Sequence, residues 1–324
     1  MDEWIENPSL HVIFKLLFER KQQIQKMLTQ LEDELSTENR FFPQSAILRV
    51  IDDLVNAPHK KLSKGTVIYR ARKIDKYNEN LFFAEFLNDV YSLLEDAVPT
   101  FDRNASNYEW LKLAYYQSKS NIKSLIPDEK MEWLYQKYNR KSWWGYDEKD
   151  SDAPPKGIAG TGRINPSGIS YMYAADNEQT AALEVRPVIS QYVSIAEVEM
   201  KSDIKLFDFT SNYEFEEAQK NFDQSVDISV LGEYISQPNY SGETAYLATQ
   251  YISEYIKHLK DESGNSIFDG LCFKSSLDKK GMNYVLFDVG ENKKYSMKCS
   301  SIYQVIDLLG NLQLQLPLPS EIIT

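Results

Sequence analysis

Six side chains define the chemistry open to this chain: Arg70, Arg163, Tyr171, Tyr173, Glu184 and Ser275. Four of them lie in one stretch, residues 162–187, GRINPSGISYMYAADNEQTAALEVRP. Histidine is scarce. His11, His59 and His258 stand apart, with no second histidine or cysteine at metal-ligand spacing, which argues against a zinc site and a Ser-His-Asp triad. Any catalysis must then run on carboxylate, guanidinium, phenol and hydroxyl groups.

Each candidate also admits a structural role. Arg70 closes the strand-like run IYRAR and could form a surface ion pair, with Arg72 on the same face two residues on. Arg163, between a glycine loop and Asn-Pro, could brace that loop. Glu184 sits in TAALEV, and a carboxylate among small and apolar neighbours is uncommon unless paired, with Arg186 or another arginine, or useful. Ser275, in FKSS, could cap a turn.

These residues need rigid elements to aim them. Ser170–Ala175 reads as a strand. Asp176 or Asn177 caps a helix running to Val185, which Pro187 stops. Thr66–Ala71, Gln191–Met200, Ile204–Phe209, Phe268–Phe273 and Asn283–Asp288 read as further strands. Helical spacing spans Ser9–Glu38, Ser45–Val55, Leu81–Ala97, Glu109–Leu125, Pro127–Tyr138 and Ser241–Lys257. Ser142–Lys156, with Trp143, Trp144 and two prolines, reads as a loop. The fold class is α+β. Residues 1–63 read as a helical N-terminal extension, and residues 64–324 as the main domain, with a helical insertion at about 75–150.

Composition narrows the setting. The 324 residues are 42% hydrophobic and 26% charged, an ordinary globular balance. A formal net charge of −12 repels phosphate backbones, so nucleic acid is not the expected partner, although local arginines can still hold a small anion. Two cysteines, Cys272 and Cys299, suit a reducing compartment. There is no signal-like N-terminus and no apolar run of bilayer length, so the expectation is a soluble cytoplasmic protein without a membrane partner.

Several motifs are excluded. Gly160, Gly162 and Gly168 have the wrong spacing for a dinucleotide loop, and no strand precedes them. No phosphate loop ends in Gly-Lys-Ser/Thr, and Gly-x-Ser-x-Gly is absent. In the N-terminal helices, Arg49 and His59 are too far apart for a helical ribonuclease motif.

The order arginine, glutamate, serine, with these neighbours, resembles the RES domain family. The match rests on Arg70, on Gly162–Pro187, and on Asp269–Phe287, which holds DGLCFKSS and NYVLF; YLATQ at Tyr246–Gln250 fits the preceding helix. It spans about residues 64–310. Where the family has tyrosine-proline-serine, this chain has Phe273-Lys274-Ser275, with Ser276 adjacent.

The resemblance implies an ADP-ribosyltransferase-like mixed sheet that consumes NAD as substrate, without a further cofactor or metal. It carries over Arg70, Arg163, Tyr173, Glu184 and Ser275, with Tyr171 on the strand face of Tyr173. The arginines would hold the pyrophosphate, the tyrosines would stack on nicotinamide, Glu184 would face the ribose, and Ser275 would bond near the nicotinamide. The family's small members are toxins restrained by helix-turn-helix antitoxins. An antitoxin or other inhibitory protein is thus an expected partner, and a homo-oligomer is compatible. Three activities stay open: NAD cleavage by water or phosphate, ADP-ribosyl transfer to a protein or other acceptor, and a non-catalytic NAD-binding module.

Overall fold

The computed structural model describes residues 8–74, 81–97, 127–138, 145–210, 221–237, 246–308 and 312–314. In chain order the helices are α1 (Pro8–Asp33), α2 (Ile47–Leu54), α3 (Leu81–Ala97), α4 (Asp128–Tyr138), α5 (Glu148–Ser151), α6 (Glu178–Glu184), α7 (Phe222–Ser236) and α8 (Leu247–His258). The strands are β1 (Lys60–Leu62), β2 (Val67–Ile74), β3 (Met172–Ala175), β4 (Tyr192–Met200), β5 (Ile204–Asp208), β6 (Gly270–Lys274), β7 (Met282–Leu286), β8 (Tyr295–Val305) and β9 (Leu312–Leu314). The fold is α+β with mixed strand pairing, and its N-terminus is helical. The chain divides into two compact, discontinuous units: 1–66, 153–176 and 200–295; and 67–152, 177–199 and 296–324.

In the first unit the strand order is β1-β5-β6-β7-β3. β5 and β6 are parallel and the other pairs antiparallel. A parallel pair needs a crossover; α7 and α8 lie in that connection, and α7 packs on β6. α1 is amphipathic: Ile24, Leu28 and Leu31, then Leu35 in the π-helical turn Glu34–Glu38, fall on one face and are buried. They join Ile47, Ile51 and Leu54 of α2 in one core with Phe207, Leu231, Ile252 and Phe287. Polar contacts tie the same helices together. Arg20 of α1 grips Asp227 of α7, Lys21 pairs with Glu233 at 2.9 Å, and the Tyr234 hydroxyl donates to Glu32.

His59 links α2 to the sheet. Its Nε2–H points at the carbonyls of Leu54 and Val55, 3.1 and 3.2 Å away, and its Nδ1 accepts the Asp208 N–H at 3.2 Å. The ring packs against Phe207 and Phe268. Burial pushes its pKa down to about 4; Lys205 adds to the fall, while the two carbonyls and Asp208 oppose it.

In the second unit the order is β2-β4-β8-β9. β2 and β4 run antiparallel from Val67↔Glu199 to Ile74↔Tyr192, and α6 packs on β2. The 142–156 region, expected as a loop, contains one helical turn, α5, because Asp147 accepts the Asp150 N–H at 2.9 Å as a cap. The backbone at Gly145 and Tyr146 is pinned by the hydroxyls of Ser300 and Ser194. A Cβ at Gly145 would come within 2.0 Å of the Ser194 Oγ, so only glycine fits there. β1, β8, β9 and α7 are elements the sequence reading did not give. The expected helix Glu109–Leu125, residues 241–245 of the expected helix Ser241–Lys257, and Trp143 and Trp144 lie outside the described residues.

Candidate functional site

The loop carrying Arg163 is held from several directions. Inside it, the Gly162 N–H bonds the Asn165 carbonyl at 2.9 Å, and the Asn165 side-chain nitrogen donates to the carbonyls of Gly160, Pro166 and Ile169. From β3, the Tyr173 hydroxyl donates to Asn165 Oδ1 at 2.6 Å and accepts the Ile164 N–H at 3.3 Å. From the first turn of α8, Gln250 Nε2 donates to Thr161 Oγ1 at 3.0 Å and to the Gly162 carbonyl at 2.7 Å. Thr249 Oγ1 donates to the Arg163 carbonyl at 2.5 Å. A Cβ at Gly162 would meet Asn165 Oδ1 at 2.4 Å and the Tyr173 hydroxyl at 2.9 Å, so glycine is required by close approach.

Arg163 itself is half-buried, and one terminal nitrogen donates to the carbonyls of Ser236 and Ile235, 2.7 and 3.3 Å away. Those carbonyls end α7, where the helix dipole is negative and favours a cation. The bracing role read from the sequence is therefore present, though it reaches a helix end rather than the loop alone. The Nε and second terminal nitrogen have no partner among the described residues, which leaves one two-pronged edge of the guanidinium for an anion.

Tyr171 and Tyr173 have different surroundings. Tyr171 is 1% exposed: its hydroxyl donates to Glu254, its ring packs on Phe287, and Lys257 Nζ lies 4.9 Å from the ring centre. Its phenol is pushed far up, by burial first and then by Glu254. The structure thus places Tyr171 in the core. Tyr173 is half-buried, on β3 opposite Val285. Ser275 is 8% exposed, and its Oγ accepts the N–H groups of Leu277 and Asp278, each at 3.1 Å, as a turn cap.

Arg70 and Glu184 belong to the second unit. Arg70 is half-buried on β2, opposite Ala196 of β4. Arg72, two residues on, is exposed; it lies over the Tyr146 ring and donates to the Asp150 carbonyl. Glu184 is the last residue of α6, the helix that packs on β2. The Asn177 side chain caps this helix through the Thr180 N–H at 2.8 Å, as expected, and Thr180, Ala181 and Ala182 are buried. Beyond Glu184 the chain turns at Arg186, whose φ of 49° is left-handed and whose N–H returns to the Leu183 carbonyl at 2.8 Å.

The cysteines are not activated. Burial pushes the buried Cys272 thiol well up, and burial together with Glu197 pushes Cys299 up to about 12, so both stay protonated at neutral pH. Among the described residues no group of three or more His, Cys, Asp and Glu side chains is placed to hold a metal. No described helix is long and apolar enough to cross a membrane. Sequence reasoning missed Asn165, Thr249 and Gln250, which fix the Arg163 loop. The available signal was a Thr-Gln pair at positions of α8 that turn inward.

No curated protein and no solved structure matches the chain. The RES domain family matches residues 135–305, a span that contains Arg163, Tyr171, Tyr173, Glu184 and Ser275 and leaves Arg70 outside it. With more than half of its length matched, and with the loop, strand and capped helix of 162–187 within that span, the chain belongs to the RES domain family.

Proposed function

We propose that the protein is an NAD-consuming enzyme that breaks the nicotinamide–ribose bond. Arg163 carries this reading. Its guanidinium is fixed at the end of α7 through one nitrogen, and its other edge is uncommitted among the described residues. A planar fork held in this way suits a pyrophosphate oxygen pair. Arg70 contributes a second positive charge to the phosphates.

As the bond breaks, its electron pair passes to the nicotinamide nitrogen, which leaves neutral, and the ribose takes on oxocarbenium character. Because the leaving group needs no proton, a site without histidine suffices. The Glu184 carboxylate stabilises the developing positive charge and orients the attacking oxygen. Water as the acceptor gives ADP-ribose and a proton, and inorganic phosphate gives ADP-ribose 1″-phosphate. Tyr173 offers a half-buried ring to the nicotinamide, and Ser275 lies at the turn after β6 as the further polar contact. Such an enzyme acts as a toxin or defence effector in the cytoplasm, held in check by an inhibitory partner.

The test is nicotinamide release from NAD by the wild type and by Glu184→Gln, side by side, with the second product identified. Release by the wild type and its loss in the variant support the reading. Absence of release by pure wild-type protein overturns it, and label appearing on protein assigns the activity to ADP-ribosyl transfer.

A further inference from the structure

We infer that Gln250 is a positioning residue for this activity, acting through Arg163; the inference rests on the NAD-consuming reading above. Gln250 is 8% exposed and sits in the first turn of α8. A buried amide must find partners, and its Nε2 finds them 88 and 89 residues away, on the Gly162 carbonyl and Thr161 Oγ1. Thr249, its neighbour, is 5% exposed and holds the next carbonyl, that of Arg163. Three consecutive loop residues are thus gripped by two consecutive helix residues.

The other end of Arg163 is fixed as well, by the last carbonyls of α7. Backbone and guanidinium are anchored to two different helices, so the free edge of the fork has one position rather than several. Preorganisation of this kind lowers the cost of binding an anion, because less freedom is lost on contact. The Gln250 amide bonds the Gly162 carbonyl and Thr161 Oγ1 rather than the Arg163 guanidinium, so its contribution is the placement of the backbone that carries Arg163.

Gln250→Met keeps the side-chain volume and removes the donor. Thr249→Val removes the neighbouring hydroxyl and serves as the second variant should the first fail to fold. The probes are ADP-ribose affinity by calorimetry, KM and kcat for nicotinamide release, and the thermal midpoint. ADP-ribose affinity is expected to fall about tenfold, with KM rising more than kcat falls. In an Arg163→Ala background the same substitution should produce no further loss of affinity, because the residue through which it acts is gone. Unchanged affinity in a folded variant overturns the inference, as does a loss of equal size in the Arg163→Ala background. Wild-type protein that neither binds ADP-ribose nor releases nicotinamide overturns the functional reading itself, a result distinct from an active wild type with indifferent variants.

Discussion

Arg20 and Asp227 face one another in a two-pronged ion pair, Nε to Oδ1 at 2.7 Å and the terminal nitrogen to Oδ2 at 2.6 Å. They join the first helix of the chain to the helix whose end holds Arg163. Asp227 is 3% exposed, and burial pushes its carboxyl up while Arg20 pulls it back. Removing the guanidinium alone strands a buried carboxylate. Arg20→Ala should cost about 3 kcal/mol in urea unfolding. A double replacement, Arg20→Met with Asp227→Leu, should recover most of that loss, since an apolar pair carries no desolvation penalty.

Glu184→Gln preserves shape and removes charge. Nicotinamide release should fall by about two orders of magnitude or more, the usual scale for a positioned carboxylate. Glu184 is half-buried at a helix end, so the free energy of urea unfolding should change by no more than about 1 kcal/mol. Wild-type turnover in this variant would remove Glu184 from the chemistry.

Arg163→Lys should fare almost as badly as Arg163→Ala in ADP-ribose binding. A lysine has one charged centre and cannot occupy the α7 carbonyls and an anion in opposite directions at once. Calorimetry should show affinity lower by about tenfold or more in both. Arg70→Ala should also weaken binding, and unchanged affinity would release Arg70 from the phosphates.

His59 makes stability depend on acid. Its folded pKa of about 4 lies below the ordinary 6.5. The unfolded chain therefore binds the extra proton between these values, and stability falls as pH drops through that window. Above about 6.5 the contribution is fully present, and at about 4 the loss reaches the order of 3 kcal/mol. The difference in unfolding free energy between wild type and His59→Gln should shrink from pH 7 to pH 4.5. A constant difference would show that the ring titrates normally.

Ser275→Ala separates two roles. Loss of the cap to Leu277 and Asp278 should cost about 1 kcal/mol. A fall in ADP-ribose affinity beyond that loss, measured well below the unfolding transition, would mark a contact with ligand as well.

The sequence was most legible where short polar signals bound an element. Asp176 or Asn177 at one end and Pro187 at the other marked α6 to within a residue, and the structure selects Asn177 as the cap, because a cap bond and a missing N–H are local chemistry. β8 was hidden for a physical reason. Its buried residues run Tyr295, Met297, Ser300, Ile302 and Val305, so the alternation slips twice and no steady period of two survives. α7 was hidden by composition: Val226, Ile228 and Val230 are β-branched, and burial covers Asp227 and Gly232 too, leaving no polar stripe to mark a face. At the site, residue types were legible and surroundings were not. Tyr171 and Tyr173 are two apart in sequence, yet one is in the core and the other holds a loop. That difference depends on Glu254 and Asn165, partners that no local pattern announces.

The left-handed turn at Arg186 bears on how the protein could change. An L side chain held at φ 49° is costlier than glycine there, by roughly 1 kcal/mol. Glycine would relax that bend but would also let the carboxylate just upstream swing with its own backbone. The chain instead keeps a stiffer joint in a less comfortable shape, so a search for hardier variants that settled on glycine at this corner would trade aim for durability.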